Sequence, residues 1–144
     1  MKCYTYIEKD HDEEVLIYSH ERNQLVIDIE NLVESSGISI TGFNEGETIK
    51  INPLDVCCFI SEGNKVYALI KNKKYQIKYH LYQLEEQDFN KHFIKINQSC
   101  IANIKKIKKF ESTIGGALKV VFVNDYVDFI SRRELKNVKE RMGL

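Results

Sequence analysis

The side chains able to engage another molecule are unevenly spread along this 144-residue chain, and lysine dominates them. From Gly63 onward seventeen basic residues face eight acidic ones, a net charge of +9, whereas Met1 to Glu62 carry four basic against thirteen acidic, a net charge of −9. The formal total of zero conceals this asymmetry. A cationic half attracts polyanions, and an acidic half elsewhere limits sticking to the wrong ones. Lys71, Lys73, Lys74, Lys78, Lys95, Lys105, Lys106, Lys108 and Lys109 supply most of the positive charge, and phosphate is the natural partner for those that share a face. A lysine-rich strand is equally an ordinary solvated surface, so charge alone leaves both readings open.

Other chemistries find little support. Cys3, Cys57, Cys58 and Cys100 form no C-x-x-C pair of the kind that zinc and dithiol redox sites use, and they read as buried reduced thiols. His11, His20, His80 and His92 are scattered. There is no P-loop, H-E-x-x-H, G-x-S-x-G or glycine-rich dinucleotide fingerprint. The expectation is a protein that is not an enzyme and needs no cofactor, metal or small-molecule substrate.

Hydrophobic residues at 43%, charged residues at 29% and a single proline describe a folded chain of one domain, or one domain with a short extension. No apolar run approaches the roughly 18 residues that cross a bilayer. Met1 to Tyr6 lacks the apolar region of a signal peptide, so a cytoplasmic protein is expected.

Alternation predicts short strands over Lys2 to Glu8 and Glu14 to Tyr18. A helix follows over Glu21 to Glu34, with Leu25, Val26, Ile29, Leu32 and Val33 as its apolar stripe and Gly37 as its stop. From Ile38 the period becomes two. Strands are expected over Ile38 to Phe43, Thr48 to Ile51, Asp55 to Ser61, Val66 to Ile70 and Lys74 to Tyr79, with turns at Asn44 to Glu47, Glu62 to Lys65 and Lys71 to Lys73. A short helix from Leu81 to Gln87 precedes further β pattern at Phe93 to Ile96 and Ile104 to Phe110, around the polar Asn97-Gln98-Ser99. Ala117 to Val123 meets Tyr126 to Ile130 across Asn124-Asp125, and a last helix runs from Arg132 to Met142 with Ser131 as its cap and Glu134 completing a capping box. The fold class is therefore mainly β, α+β overall: residues 1–43 as an α+β extension and 44–144 as an antiparallel β domain closed by a helix.

Phe93-Ile94-Lys95-Ile96-Asn97-Gln98-Ser99-Cys100-Ile101-Ala102-Asn103-Ile104 resembles the F-x-R-I-H-x-S-x-I-V-N signature of the LytTR DNA-binding family. Asp55-Val56 with Gly63-Asn64 resembles its D-I…G-N opening, Leu81 to Glu85 its short S-L-x-x-L-E helix, and Val127 to Arg133 its V-x-V-S-R-R strand end, so the likeness spans about Glu47 to Met142. Asn97 stands where the family usually has histidine and Lys95 where it has arginine, changes that alter which bases or phosphates are touched.

The resemblance implies a compact transcription regulator that reads double-stranded DNA with loop side chains instead of a helix-turn-helix; many family members carry a receiver domain, for which the 43 residues ahead of the domain are expected to leave no room. Asn64, Lys65, Asn97, Gln98 and Arg133 are its expected base contacts; the fork of Arg133 suits guanine O6 and N7, and the Gln98 amide suits adenine N6 and N7. Lys71, Lys73, Lys95, Ser99, Lys105, Lys106 and Arg132 are the expected phosphate contacts, and neutralising about six phosphates gives a log–log salt slope near −5. Asn103 reads as a turn or capping residue instead of a base contact. The family further implies a homodimer on repeated sites and, for compact members, an inhibitory small membrane protein; residues 1–43 are the expected dimerisation or partner-binding unit. The competing reading is a basic protein-interaction module without DNA specificity.

Overall fold

The computed structural model describes residues 2–35, 40–86 and 91–144, which fall into two units, 1–33 and 34–144. In the first, residues 2–23 form neither helix nor strand. The strands expected at Lys2 to Glu8 and Glu14 to Tyr18 are absent because strand alternation stabilises only when one face is covered and a neighbour is paired. Here Tyr4, Tyr6, Ile7, Leu16 and Tyr18 are all more than 60% exposed, Ile7 at 92%. Helix α1 spans Gln24–Ser35. It starts later than expected because Asn23 Oδ1 accepts the Val26 amide at 3.1 Å and so caps it. Of the expected apolar stripe, Val26 is buried while Leu25, Leu32 and Val33 are exposed. The expected stop at Gly37 and the strand start at Ile38 lie outside the described residues.

The second unit is built on a seven-stranded antiparallel sheet. Its strands are β1 (Ile40–Asn44), β2 (Glu47–Ile51), β3 (Cys58–Glu62), β4 (Lys65–Ile70), β5 (Lys73–Ile77), β6 (Phe93–Asn97) and β7 (Cys100–Asn103), in the order β2-β1-β5-β4-β3-β7-β6. Because Ile40 to Asn44 pair residue for residue with Ile51 to Glu47, the boundary expected after Phe43 cuts through a hairpin, and the division lies at Val33. Glu45 and Gly46, both at positive φ, close that hairpin.

Alternate side chains of the sheet enter two separate cores. Phe59, Val66, Ala68, Tyr75, Ile77 and Ile101 pack on one face with Leu84 of α2 (Leu81–Glu85). Cys58, Ile60, Leu69, Ile94, Ile96 and Cys100 face the opposite way, onto a three-stranded sheet of β8 (Ile107–Ser112), β9 (Leu118–Phe122) and β10 (Val127–Phe129) and onto α3 (Arg132–Met142). A sheet covered on both sides explains why β3 reads as a continuous apolar run, Cys-Phe-Ile. Gln87, the last residue of the expected second helix, lies outside the described residues.

Two expected strands are shorter than predicted, for one shared reason. Asn52 Oδ1 accepts the Leu54 amide at 3.1 Å and turns Pro53–Asp55 into a 3-10 turn, and Asn103 Oδ1 accepts the Lys105 amide at 3.0 Å and does the same to Ile104–Lys106. A side-chain acceptor two residues upstream captures the amide that a ladder would use. Helix α3 coincides with its prediction, capped by Ser131 Oγ and ended by Gly143 at φ 70°.

Candidate nucleic-acid interface

The strand registers decide which cations share an end of the sheet. Glu62 pairs with Lys65, Ile60 with Cys100 and Val66 with Ile77, so the Gly63-Asn64 turn, the Gln98-Ser99 turn and Lys78 gather at one end. A hydrogen bond from the Ser61 amide to the Ser99 carbonyl, 2.8 Å, joins the two turns. The start of α3 reaches the same place, since the Ser131 amide donates to the Ile96 carbonyl at 2.8 Å. Asn64, Lys65, Gln98, Ser99, Arg132 and Arg133 are all exposed there. Neither Arg132 nor Arg133 makes an ion pair among the described residues, so both guanidinium groups are open to an external acceptor.

Asn97 occupies this end but points inward. Its carboxamide donates to Asp128 Oδ1 at 3.0 Å and to the Phe129 carbonyl at 2.9 Å, and accepts the Ser99 amide at 2.8 Å. With both donors and its oxygen engaged within the protein, it does not present a base-reading edge. The expected base contact at Asn97 is corrected on that ground.

Four of the expected phosphate contacts are elsewhere. Ile70 pairs with Lys73 and Cys58 with Ala102, which places the Lys71-Asn72 turn and the Lys105-Lys106 turn at the opposite end. Strand β4 separates the two ends by about 17 Å at roughly 3.3 Å per residue. There Lys71, Lys73 and Lys106 line a groove of about 760 Å³ with Asp55, Asn124 and Asp125. Asn124 Nδ2 donates to the Lys71 carbonyl at 2.8 Å and so ties this hairpin to the β9–β10 turn. Lys95 lies on β6, half-buried and 3.6 Å from Glu85.

The sequence reading missed Lys136, which is exposed one turn along α3 from Arg132. Its signal was available in the i, i+4 spacing of a correctly placed helix.

Chemistry that would compete with a binding role is weak in the structure. Cys57, Cys58 and Cys100 are buried and free. Cys100 hydrogen-bonds Cys58, and that contact together with burial pushes its thiol well above the usual range, leaving it protonated. No group of three or more His, Cys, Asp or Glu among the described residues could hold a metal ion. No helix among them is long and apolar enough to cross a membrane.

Residues 46–143 match the family model of the LytTr DNA-binding domain. Proteins of Staphylococcus aureus described as uncharacterized HTH-type transcriptional regulators are 32% identical, in strains NCTC 8325 and MSSA476, over 100% of this chain and 99% of theirs. A solved LytTr DNA-binding domain from Bacillus cereus superposes with a TM-score of 0.69 at 19% identity, over 75% of this chain and 100% of that one. Among the described residues the three α-helices are each separated by strands, so no two of them follow one another as a helix-turn-helix requires.

Proposed function

The chain belongs to the LytTR DNA-binding family, and from that premise we propose a transcription regulator that reads major-groove bases of double-stranded DNA with the loops at one end of its larger sheet. The observation that carries this reading is the convergence of three exposed segments, the turns at Asn64-Lys65 and Gln98-Ser99 and the first residues of α3, Arg132-Arg133, at that end, with neither arginine in an ion pair among the described residues. Gln98 and Arg133 serve as base readers, and Asn64 and Lys65 reach the neighbouring stretch of duplex. Lys65, Lys78, Ser99, Arg132 and Lys136 take the phosphates. The lysines at the far end have no phosphate role in a duplex held at the reading end.

Four reading-end cations in place of six shallow the expected salt dependence to a log–log slope of about −3.5, at roughly −0.9 per phosphate. Selecting bound duplexes from a random library with purified full-length protein tests the proposal: an enriched sequence is expected. Failure to enrich any sequence, or a slope near zero, overturns it. Arg132→Ala should reduce the slope by about 0.9 and Lys106→Ala leave it unchanged. The reverse pattern would move the duplex to the far end.

The first unit serves assembly in this reading. It carries eight acidic against three basic residues over 1–33, and it exposes Tyr4, Tyr6, Ile7, Leu16, Tyr18, Leu25 and Leu32. Scattered apolar exposure is ordinary, but this density in one short unit marks a surface that awaits a partner. We assign it to homodimerisation on repeated sites, with a small membrane-protein inhibitor as the alternative occupant. Removing residues 1–33 leaves both sheets complete. The truncated protein should bind a single site with near-normal sequence preference yet sediment as a monomer where the full chain sediments as a dimer. An unchanged oligomeric state would defeat the assignment.

A further inference from the structure

One side chain at the reading end is turned into the protein, where it bonds both the turn that presents Gln98 and the strand that leads to Arg133. Asn97 Oδ1 accepts the Ser99 amide at 2.8 Å and closes the turn that presents Gln98. Its Nδ2 group donates to Asp128 Oδ1 at 3.0 Å and to the Phe129 carbonyl at 2.9 Å, on the segment that runs directly into Ser131, Arg132 and Arg133. Asp128 Oδ1 is held in place by the Phe129 amide at 2.8 Å. The side chain is half-buried, where such bonds are screened less by water than on an open surface.

We infer that Asn97, with Asp128 as its acceptor, is a positioning residue that couples the two base readers by fixing Gln98 relative to Arg133. The inference rests on the reading of Gln98 and Arg133 as base contacts and adds that they act as one unit of set spacing. A bidentate contact is directional, so a loop that wanders by an ångström forfeits much of its discrimination. The backbone bond from Ser131 to Ile96 keeps the segments adjacent without Asn97. What the side chain adds is orientation, and it adds it to both loops simultaneously. Its loss must therefore show at two base positions, although it touches neither.

The test uses duplexes altered singly at the base pair that depends on Gln98 and at the one that depends on Arg133, as identified with Gln98→Ala and Arg133→Ala. Asn97→Ala should lower the discrimination ratio about tenfold at both positions, the scale of one base contact. Affinity for unrelated duplex and the salt slope, set by the cations, should not move. Asn97→Asp keeps the acceptor for Ser99 but opposes a carboxylate to Asp128, and should lose both ratios likewise. Combining Asn97→Asp with Asp128→Asn returns a donor opposite a carboxylate and should recover both ratios in part. This pair carries the comparison if Asn97→Ala does not fold by circular dichroism. Unchanged ratios in the folded single variants, a loss at only one position, or no recovery in the double variant overturns the inference. A wild-type protein without base preference overturns the base-reading proposal itself, and that outcome is seen before any variant is made.

Discussion

Replacing Arg133 with alanine should abolish preference at one base pair, lowering the specific-to-variant affinity ratio there by about tenfold to a hundredfold, the equivalent of roughly 1–3 kcal/mol. The guanidinium is exposed, at the second position of α3, and has no ion-pair partner among the described residues, so alanine removes the proposed DNA contact without exposing a buried charge. Folding stability should be nearly unchanged, since surface substitutions without such partners stay within about 0.5 kcal/mol. Arg133→Lys separates charge from geometry: the ammonium retains attraction to the duplex but lacks the planar fork that spans guanine O6 and N7. It should keep non-specific affinity and lose most of the preference. The neighbouring Arg132→Ala should do the opposite, weakening all sequences about equally. If both arginines behave alike in a competition assay against single-base variants, neither is a reader.

The contrast expected between these adjacent residues comes from the resemblance of Ser131-Arg132-Arg133 to the family's S-R-R, while the local pattern fixes only where the helix starts. Ser131, a capping residue ahead of a periodic segment, located α3 correctly, and the reading of Gln98 and Arg133 as a shared exposed set agrees with their placement. The short hairpins β1–β2, β3–β4 and β4–β5 were legible too, because turn residues and alternation are local signals.

What failed was long-range. Which end of a strand a lysine occupies depends on strand order, and the order β2-β1-β5-β4-β3-β7-β6 brings β7 beside β3 across about forty residues of chain that no local pattern encodes. The sequence alone puts Lys71, Lys73, Lys105 and Lys106 in one set with the expected base contacts, whereas the strand registers place these four at the opposite end of the sheet. The N-terminal strands failed differently: Tyr4 and Tyr6 alternate as strand residues do, but alternation reports a capacity to pair, and no described strand pairs with them. Asn97 and Asn103 illustrate the remaining ambiguity, since an amide that completes a turn and one that reads a base look identical in one dimension.

Asn103 carries the largest expected effect on folding. It is 1% exposed, and its Nδ2 donates to the Val56 carbonyl at 2.9 Å and the Leu54 carbonyl at 3.3 Å while its oxygen caps the Ile104–Lys106 turn. One side chain thus fastens two 3-10 turns to each other at the end of the sheet opposite the proposed readers. Asn103→Ala strands a buried carbonyl at about 1–3 kcal/mol and removes a cap worth about 1 kcal/mol, so a loss of roughly 2–4 kcal/mol is expected. Asn103→Asp should be worse at neutral pH, because a carboxylate keeps the Lys105 amide but faces two carbonyl oxygens without a donor. Its acid form can donate to Val56, so folding favours the protonated carboxyl and raises its pKa above the unfolded value of about 3.9. Between those two values the native state holds more protons than the unfolded one, so stability falls as pH rises and levels off above the native pKa. Denaturant midpoints measured from pH 4 to 8 should therefore decline for Asn103→Asp relative to Asn103→Ala, and parallel curves for the two variants would mean that the buried amide does not hold the turns together.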